Sequence, residues 1–283
     1  MGDNFIRGHI QSIEPYQPII PLDVLSANLE IPVDALVKLD ANENPYGMPP
    51  TAMKRLANLE YGNIYPDPES RYLRLGLSDF LQIPYENILV GAGADELIDL
   101  IMRLILDPGQ KMINCPPTFG FYEANAQVNN IEIINVRRKP DFSLDISGIE
   151  KAISRGAKLI FLANPNNPDG GVVSLEALKS ILSLPLMVVL DEAYIEFARP
   201  YESLTQEVLQ RENMIVLRTF SKWGGLAGLR LGYGIFPTNL AETIMKIKQP
   251  YNVSTAAAEV GLGAIEDVKL LNRRLEKIIV ERE

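Results

Sequence analysis

Residues 87–109 read NILVGAGADELIDLIMRLILDPG, and the order of the parts decides the fold. NILV is a short apolar run, GAG is a tight turn, and ADELIDLIMRLIL repeats apolar residues at helical spacing until Asp107-Pro108-Gly109 stops it. The same succession recurs downstream. KMINC precedes FGFYEANAQV, IEIINV precedes LDISGIEKAI, KLIFLA precedes SLEALKSILS and LMVVLD precedes ESLTQEVLQ, with MIVLRTF and LGYGIF closing the series. The alternation predicts an α/β fold: a mostly parallel central sheet sandwiched by helices. Upstream, residues 1 to about 85 are proline-rich, and PYQPIIPL, ANENPYGMPP and NIYPDPESRY predict extended or turning chain that wraps around the rest. The final stretch, STAAAEVGLGAIEDVKLLNRRLEKIIVERE, is helical in pattern.

Composition excludes several functions. The 283 residues carry a formal net charge of -9, from 27 basic and 36 acidic side chains, and the longest basic block is Arg137-Arg138-Lys139. That leaves no footprint for nucleic acid. Cys115 is the only cysteine and His9 the only histidine, so neither a disulfide framework nor a cysteine or histidine metal site is available. No metal is expected. No apolar run reaches the ~18 residues of a membrane span, and the start lacks the apolar core of a signal peptide. A cytoplasmic, reducing setting fits these features.

In such sheets ligands collect at the carboxyl ends of the strands. Asp191 ends the apolar run LMVVLD, where a carboxylate is costly to desolvate without a cation or strong donor. It reads either as a loop carboxylate or as the counter-charge of a protonated ring. Lys222 ends another, in RTFSK; taken alone it is a lysine reaching out to solvent. Held among apolar and glycine neighbours, it is instead an amine with a depressed pKa, fit to form a Schiff base. GAGADE opens a helix whose free amides favour a phosphate, or is simply a tight turn with Asp95 as cap. Glu96 stands where a dinucleotide turn has its third glycine, which counts against a nicotinamide dehydrogenase. Arg230 is a second phosphate ligand or a surface ion-pair partner. Phe119 is core or a platform for a planar ligand. Asn166-Asn167, between prolines, form a rigid turn that can present amides to a ligand. Together these groups describe a phosphorylated, ring-nitrogen, carbonyl-bearing cofactor, which is pyridoxal 5'-phosphate.

The motifs GAGADELI, CPPTFGFY, NPNNPDGG, VVLDEAYIEF and RTFSKWGGLAGLRLGY, with LDANENPYG and YPDP upstream, closely resemble the fold type I pyridoxal-phosphate aminotransferases and, within them, the histidinol-phosphate aminotransferases. The resemblance spans roughly residues 10 to 283. It implies that Lys222 is the Schiff-base lysine, that Asp191 pairs with the ring nitrogen, and that Asn167 and Tyr194 hydrogen-bond the phenolic oxygen. Phe119 would stack on the ring, where many relatives have tyrosine. The phosphate would be held by the Ala94 and Asp95 amides, Ser221 and Arg230, with Tyr65 supplied across a homodimer interface. Tyr16 and Asn42 would line the substrate site. Lys222, Asp191 and Tyr194 are the catalytic candidates.

The resemblance also implies a division of the chain: residues 1–45 as an N-terminal arm, 46–255 as the large cofactor-binding domain, and 256–283 as the start of a small C-terminal domain. Relatives continue beyond the position of Glu283 through a region that supplies substrate-binding arginines, so the chain is expected to be truncated and weak on anionic substrates. Asp169-Gly170-Gly171 departs from the Thr-Gly usual in the family. The implied reaction exchanges an amino group between L-histidinol phosphate and 2-oxoglutarate. Alternatives are an aromatic amino acid aminotransferase, a threonine-phosphate decarboxylase, or a non-catalytic cofactor-binding relative.

Overall fold

The computed structural model describes residues 5–282; the first four residues and Glu283 lie outside the described residues. Two short helices, α1 (Gly8–Gln11) and α2 (Leu22–Leu29), are followed by α3 (Pro50–Ala57) and α4 (Arg71–Leu81). The alternating region then gives β1 (Ile88–Gly91), α5 (Ala94–Ile105), β2 (Lys111–Asn114), α6 (Phe121–Val128), β3 (Glu132–Asn135) and α7 (Ile146–Ser154). It continues with β4 (Ala157–Ala163), α8 (Leu175–Leu182), β5 (Met187–Asp191), β6 (Met214–Thr219) and β7 (Gly232–Ile235). Helices α9 (Thr238–Ile244), α10 (Thr255–Glu266) and α11 (Val268–Arg282) complete it.

The strands form one seven-stranded sheet in the order β1-β7-β6-β5-β4-β2-β3. Only β7 runs antiparallel to its neighbours. The reason is local: residues 220–231 contain a single 3-10 turn, Ala227–Leu229, and no crossover helix to return the chain for parallel pairing.

Period-two alternation splits the strands between two cores. Ile160, Leu162, Val188, Leu190 and Val216 face one cluster with α7, α8 and α10, whereas Leu159, Phe161, Val189, Ile215 and Leu217 face another with α5, α6 and α9. Both faces are therefore buried, which explains the continuous apolar runs. Each fully buried branched or aromatic side chain contributes on the order of 1.5–3 kcal/mol.

The proline-rich first 85 residues are more helical than the sequence pattern predicts. Pro50 sits in the first turn of α3, where its missing N–H costs nothing, and Leu73 and Leu77 bury one face of α4. Conversely, ESLTQEVLQ yields only a 3-10 segment, Thr205–Gln210, because Ser203 and the Leu204 amide are bonded to Glu192. No helix among the described residues is long and apolar enough to cross a membrane.

Helix α3 docks on α10. The Thr51 amide donates to Asp267 at 2.7 Å, and Arg55 spans Glu259 and Glu266 at 2.6 and 2.5 Å. Gly263 makes the approach possible, since a Cβ there would lie 2.6 Å from Ala52 backbone atoms. Gly263→Leu is expected to destabilise the fold by about 1–3 kcal/mol through overpacking. Gly62→Ala, where nothing lies within 4 Å of the added carbon, should stay within about 0.5 kcal/mol; denaturant midpoints followed by circular dichroism check both.

Candidate active site

Strands β4, β5 and β6 end side by side, with Ala163 paired to Asp191 and Asp191 to Leu217. Asp191 is buried, and its carboxylate accepts from the Tyr122 hydroxyl at 2.7 Å and the Ala193 amide at 3.1 Å. Burial pushes its pKa up, and these two donors only partly oppose the rise. The nearby Lys222 charge opposes it as well, but burial outweighs all three.

Lys222 follows β6 and is half-buried; its Nζ donates to the Ala41 carbonyl at 2.8 Å and lies 5.6 Å from the Tyr194 ring centroid. Burial lowers its pKa, Glu43 and Asp95 pull it back up, Arg230 lowers it again and Asp191 raises it. Desolvation wins, so a larger share of the amine is neutral than in solution. The Tyr194 hydroxyl accepts from Asn42 Nδ2 at 3.2 Å, with Asn42 itself at φ 51°.

The opposite end of the cavity is built for an anion. Gly93 (φ 83°) turns the chain so that the Ala94 and Asp95 amides open α5, in the first turn where a helix has no acceptors for its N–H groups. A Cβ on Gly93 would lie 2.5 Å from Arg230 Nη2, and one on Gly232 would strike the Ala94 amide. Two glycines thus keep a cradle open. Asp95 does not cap the helix; its carboxylate pairs with Arg230 at 2.7 Å. Glu96 has its own task, accepting from the Ala92 amide at 2.6 Å and from Asn252 at 2.7 Å, which fastens the turn.

A cavity of about 190 Å³ connects these ends, bounded by Ala94, Phe119, Asp191, Ser221, Lys222 and Arg230. A second cavity of about 500 Å³ shares Glu43, Asn167, Tyr194 and Lys222 with it and adds Asn42. Phe119 meets the Tyr122 ring edge-on at 5.4 Å. The residues present fit pyridoxal phosphate: a buried anion for the ring nitrogen, a desolvated amine for the aldehyde, and a glycine-lined helix start with an arginine for the phosphate.

Two sequence candidates lie elsewhere. Tyr65 is 79% exposed and stacks on Tyr251 at 4.7 Å, while Tyr16 is half-exposed against Phe121; neither lines either of these two cavities. Asn166 lines the larger cavity, but its side-chain amide is engaged within the protein, accepting from Thr118 at 2.8 Å and donating to the Pro117 carbonyl and to Asp169. Sequence reasoning missed Tyr122, which looks like one more inward aromatic four residues before Ala126. It also missed Glu43, and Asn44, which donates to the Lys222 and Trp223 carbonyls. Among the described residues no group of three His, Cys, Asp or Glu is arranged to hold a metal.

A buried carboxylate and a desolvated lysine at neighbouring strand ends, facing an anion-binding helix start, define a Schiff-base enzyme of the pyridoxal-phosphate class. Residues 34–282 match the family model for aminotransferase class I and II. The chain is 51% identical over its whole length to histidinol-phosphate aminotransferase 1, chloroplastic, of Arabidopsis thaliana, spanning 68% of that protein. It is 45% identical over 98% of its length to the histidinol-phosphate aminotransferase of Roseiflexus castenholzii, spanning 76% of it. The crystal structure of histidinol-phosphate aminotransferase from Sinorhizobium meliloti in complex with pyridoxal-5'-phosphate superposes with a TM-score of 0.87 at 28% identity, covering 97% of this chain and 74% of that one. The aspartate aminotransferase of Thermus thermophilus, at 20% identity and a TM-score of 0.82, shares the fold. The chain belongs to the class I and II aminotransferases and, within them, to the histidinol-phosphate aminotransferases.

Borohydride reduction with pyridoxal phosphate present should fix the added mass on the peptide bearing Lys222, and Lys222→Ala should abolish both that mass and the visible absorbance of the bound aldehyde. Glu43 is the strongest charge holding the Lys222 ammonium. Glu43→Gln should therefore move the midpoint of Lys222 acylation by anhydride to lower pH, because the neutral amine then persists further down the scale; mass spectrometry of the labelled peptide reads the shift.

Proposed function

We propose that this chain carries the cofactor-binding machinery of a transaminase that interconverts L-histidinol phosphate plus 2-oxoglutarate and imidazole-acetol phosphate plus L-glutamate, a step of histidine biosynthesis. The observation that carries the reading is the placement of Asp191 and Lys222 around one cavity at the ends of adjacent strands. The names of the relatives, at 45–51% identity over nearly the whole chain, point to histidinol phosphate as one substrate; the second, 2-oxoglutarate, is what the resemblance to the family implies.

Pyridoxal phosphate, when bound, supplies an electron sink for the pair released on breaking a Cα–H bond. Asp191, anchored by Tyr122 and Ala193, holds the proton on the ring nitrogen. Lys222 Nζ, kept partly neutral by burial, would take the proton from the substrate Cα and hold it for return in the reverse direction. Tyr194 and Asn167 orient the phenolic oxygen, and Phe119 fixes the ring plane. The Ala94 and Asp95 amides, the Ser221 hydroxyl and Arg230 hold the phosphate, and the Asp95 carboxylate keeps Arg230 turned toward it.

Tyr65 belongs to the site of a second copy in a homodimer. Its exposure supports this, together with exposed Val37, Leu39 and Tyr72 on the same N-terminal third. Asn42, which lines the larger cavity, faces the substrate. Residues 1–45 act as an arm, 46–255 as the cofactor domain and 256–283 as the start of the small domain. The buried, free Cys115 suits a reducing cytoplasm, although the Arabidopsis relatives are named chloroplastic.

With histidinol phosphate and 2-oxoglutarate, the wild-type chain should form glutamate, and Lys222→Ala should lower kcat by about 10²–10⁴-fold, the worth of a positioned general base. Release of carbon dioxide from threonine phosphate, or preference for an aromatic amino acid, would overturn the substrate assignment. Tyr65→Ala should weaken cofactor retention in the dimer while leaving the elution volume on size exclusion unchanged.

A further inference from the structure

Beneath Tyr194 lies a charge cluster that the reaction does not touch. The Arg218 side chain is 8% exposed, and Glu192 is fully buried. Arg218 donates to Glu196 at 2.5 Å and to the Ser203 hydroxyl at 3.0 Å, and it stands 3.5 Å from Glu192. Glu192 accepts from the Ser203 hydroxyl at 2.5 Å and the Leu204 amide at 2.8 Å. Burial drives the Glu192 carboxyl up to about 7 against the pull of Arg218. Burial works against the Arg218 charge too, yet Glu196, Tyr233 and Glu192 hold its pKa above the ordinary value.

Buried ion clusters are weak sources of stability, since apolar side chains of similar volume do as well or better; what they can supply is a specified geometry. Here the specified segment is 192–196. Glu192 and Glu196 stand two residues on either side of Tyr194, and one guanidinium holds both: Glu196 by a direct hydrogen bond, Glu192 by an ion contact and through the Ser203 hydroxyl that it also donates to. The strand that carries Arg218 leads, four residues later, to Lys222, whose ammonium faces the Tyr194 ring. The backbone closes the same loop, with the Glu192 amide donating to the Leu217 carbonyl at 2.9 Å.

We infer that Arg218 is a positioning residue that fixes the Tyr194 phenol against Asn42 and Lys222 by gripping Glu192 and Glu196 on either side of it. The inference deepens the reading of Tyr194 as a cofactor ligand, but its primary test needs no cofactor. Groups facing the phenol are Asn42, Asp191 and Lys222. Burial raises its pKa, the Asn42 bond lowers it and Asp191 raises it.

In the full chain without added cofactor, nuclear magnetic resonance of ¹³C-labelled tyrosine follows Tyr194, assigned by the signal lost in Tyr194→Phe. Glu196→Gln leaves the Glu192–Arg218 pair in place and is the primary variant; Arg218→Met and Arg218→Lys accompany it. The Tyr194 midpoint should fall toward that of a solvent tyrosine, about 10, in Glu196→Gln and Arg218→Met, by more than the reproducibility of the titration. Arg218→Lys keeps the charge but not the fork and should fall between. An unchanged midpoint in folded Glu196→Gln overturns the proposal, whatever the melting temperature of Arg218→Met. With pyridoxal phosphate added, the pH midpoint of its visible absorbance should shift in the same direction in Tyr194→Phe and Glu196→Gln, and no further in the double variant; an additive shift also overturns it. Loss of all Lys222-dependent absorbance in the wild-type chain would count against the cofactor reading, while the tyrosine titration still decides this one.

Discussion

Asp191 is buried at the end of β5 with two neutral donors, Tyr122 and the Ala193 amide, and its pKa stays raised because neutral hydrogen bonds do not replace the hydration of a carboxylate. The fold around it follows from that imbalance. Flanking strands β4 and β6 are apolar throughout their paired region, so no side chain of the sheet compensates the charge from within. Lys222, at the same cavity, eases the charge only in part, and a protonated heteroaromatic nitrogen bound there would be the chemical match. The protein side of that bargain is Tyr122, placed by α6 on the far side of the carboxylate.

Lys222 carries the converse constraint. It sits past the end of β6, desolvated enough to lose part of its charge, yet tethered to the Ala41 carbonyl by a segment 181 residues away in sequence. The N-terminal stretch 41–44 thereby closes the site: Asn42 meets Tyr194, and Asn44 fastens the backbone at Lys222 and Trp223. On the other side, β7 turns back antiparallel and presses Gly232 against the start of α5, so the strand following the lysine also shapes the phosphate cradle. One strand pair sets both ends of the cavity.

The sheet and its covering helices were legible because buried parallel strands write themselves as apolar runs, and KLIFLA, LMVVLD and MIVLRTF have no competing helical period. Helices α3 and α4 were not, since prolines around residues 49–50 and 66–68 mask the short amphipathic stretches between and after them. The strand-end groups Asp191 and Lys222 were visible as charges in the wrong place. Tyr122 was invisible, because a tyrosine on the inward face of a helix is indistinguishable from core until its hydroxyl partner is known. Glu96 was noticed only for the glycine it replaces, and its bonds to Ala92 and Asn252 depend on a loop 156 residues away. The antiparallel sense of β7 is written only in an absence, the lack of a helical pattern between MIVLRTF and LGYGIF, which leaves no crossover for a parallel return.

Asp169 joins the two loops that bear Phe119 and Asn167, since it holds Asn166, which in turn holds Thr118 and Pro117. Its second oxygen takes the Gly171 amide at 2.9 Å, and any side chain at 171 would collide with that oxygen. Gly170 sits at φ 71°. Positions 169 to 171 therefore act as one unit: a side chain at 171 would push the Asp169 carboxylate aside, and with it loosen the grip on Asn166 that ties the Phe119 loop to the Asn167 loop.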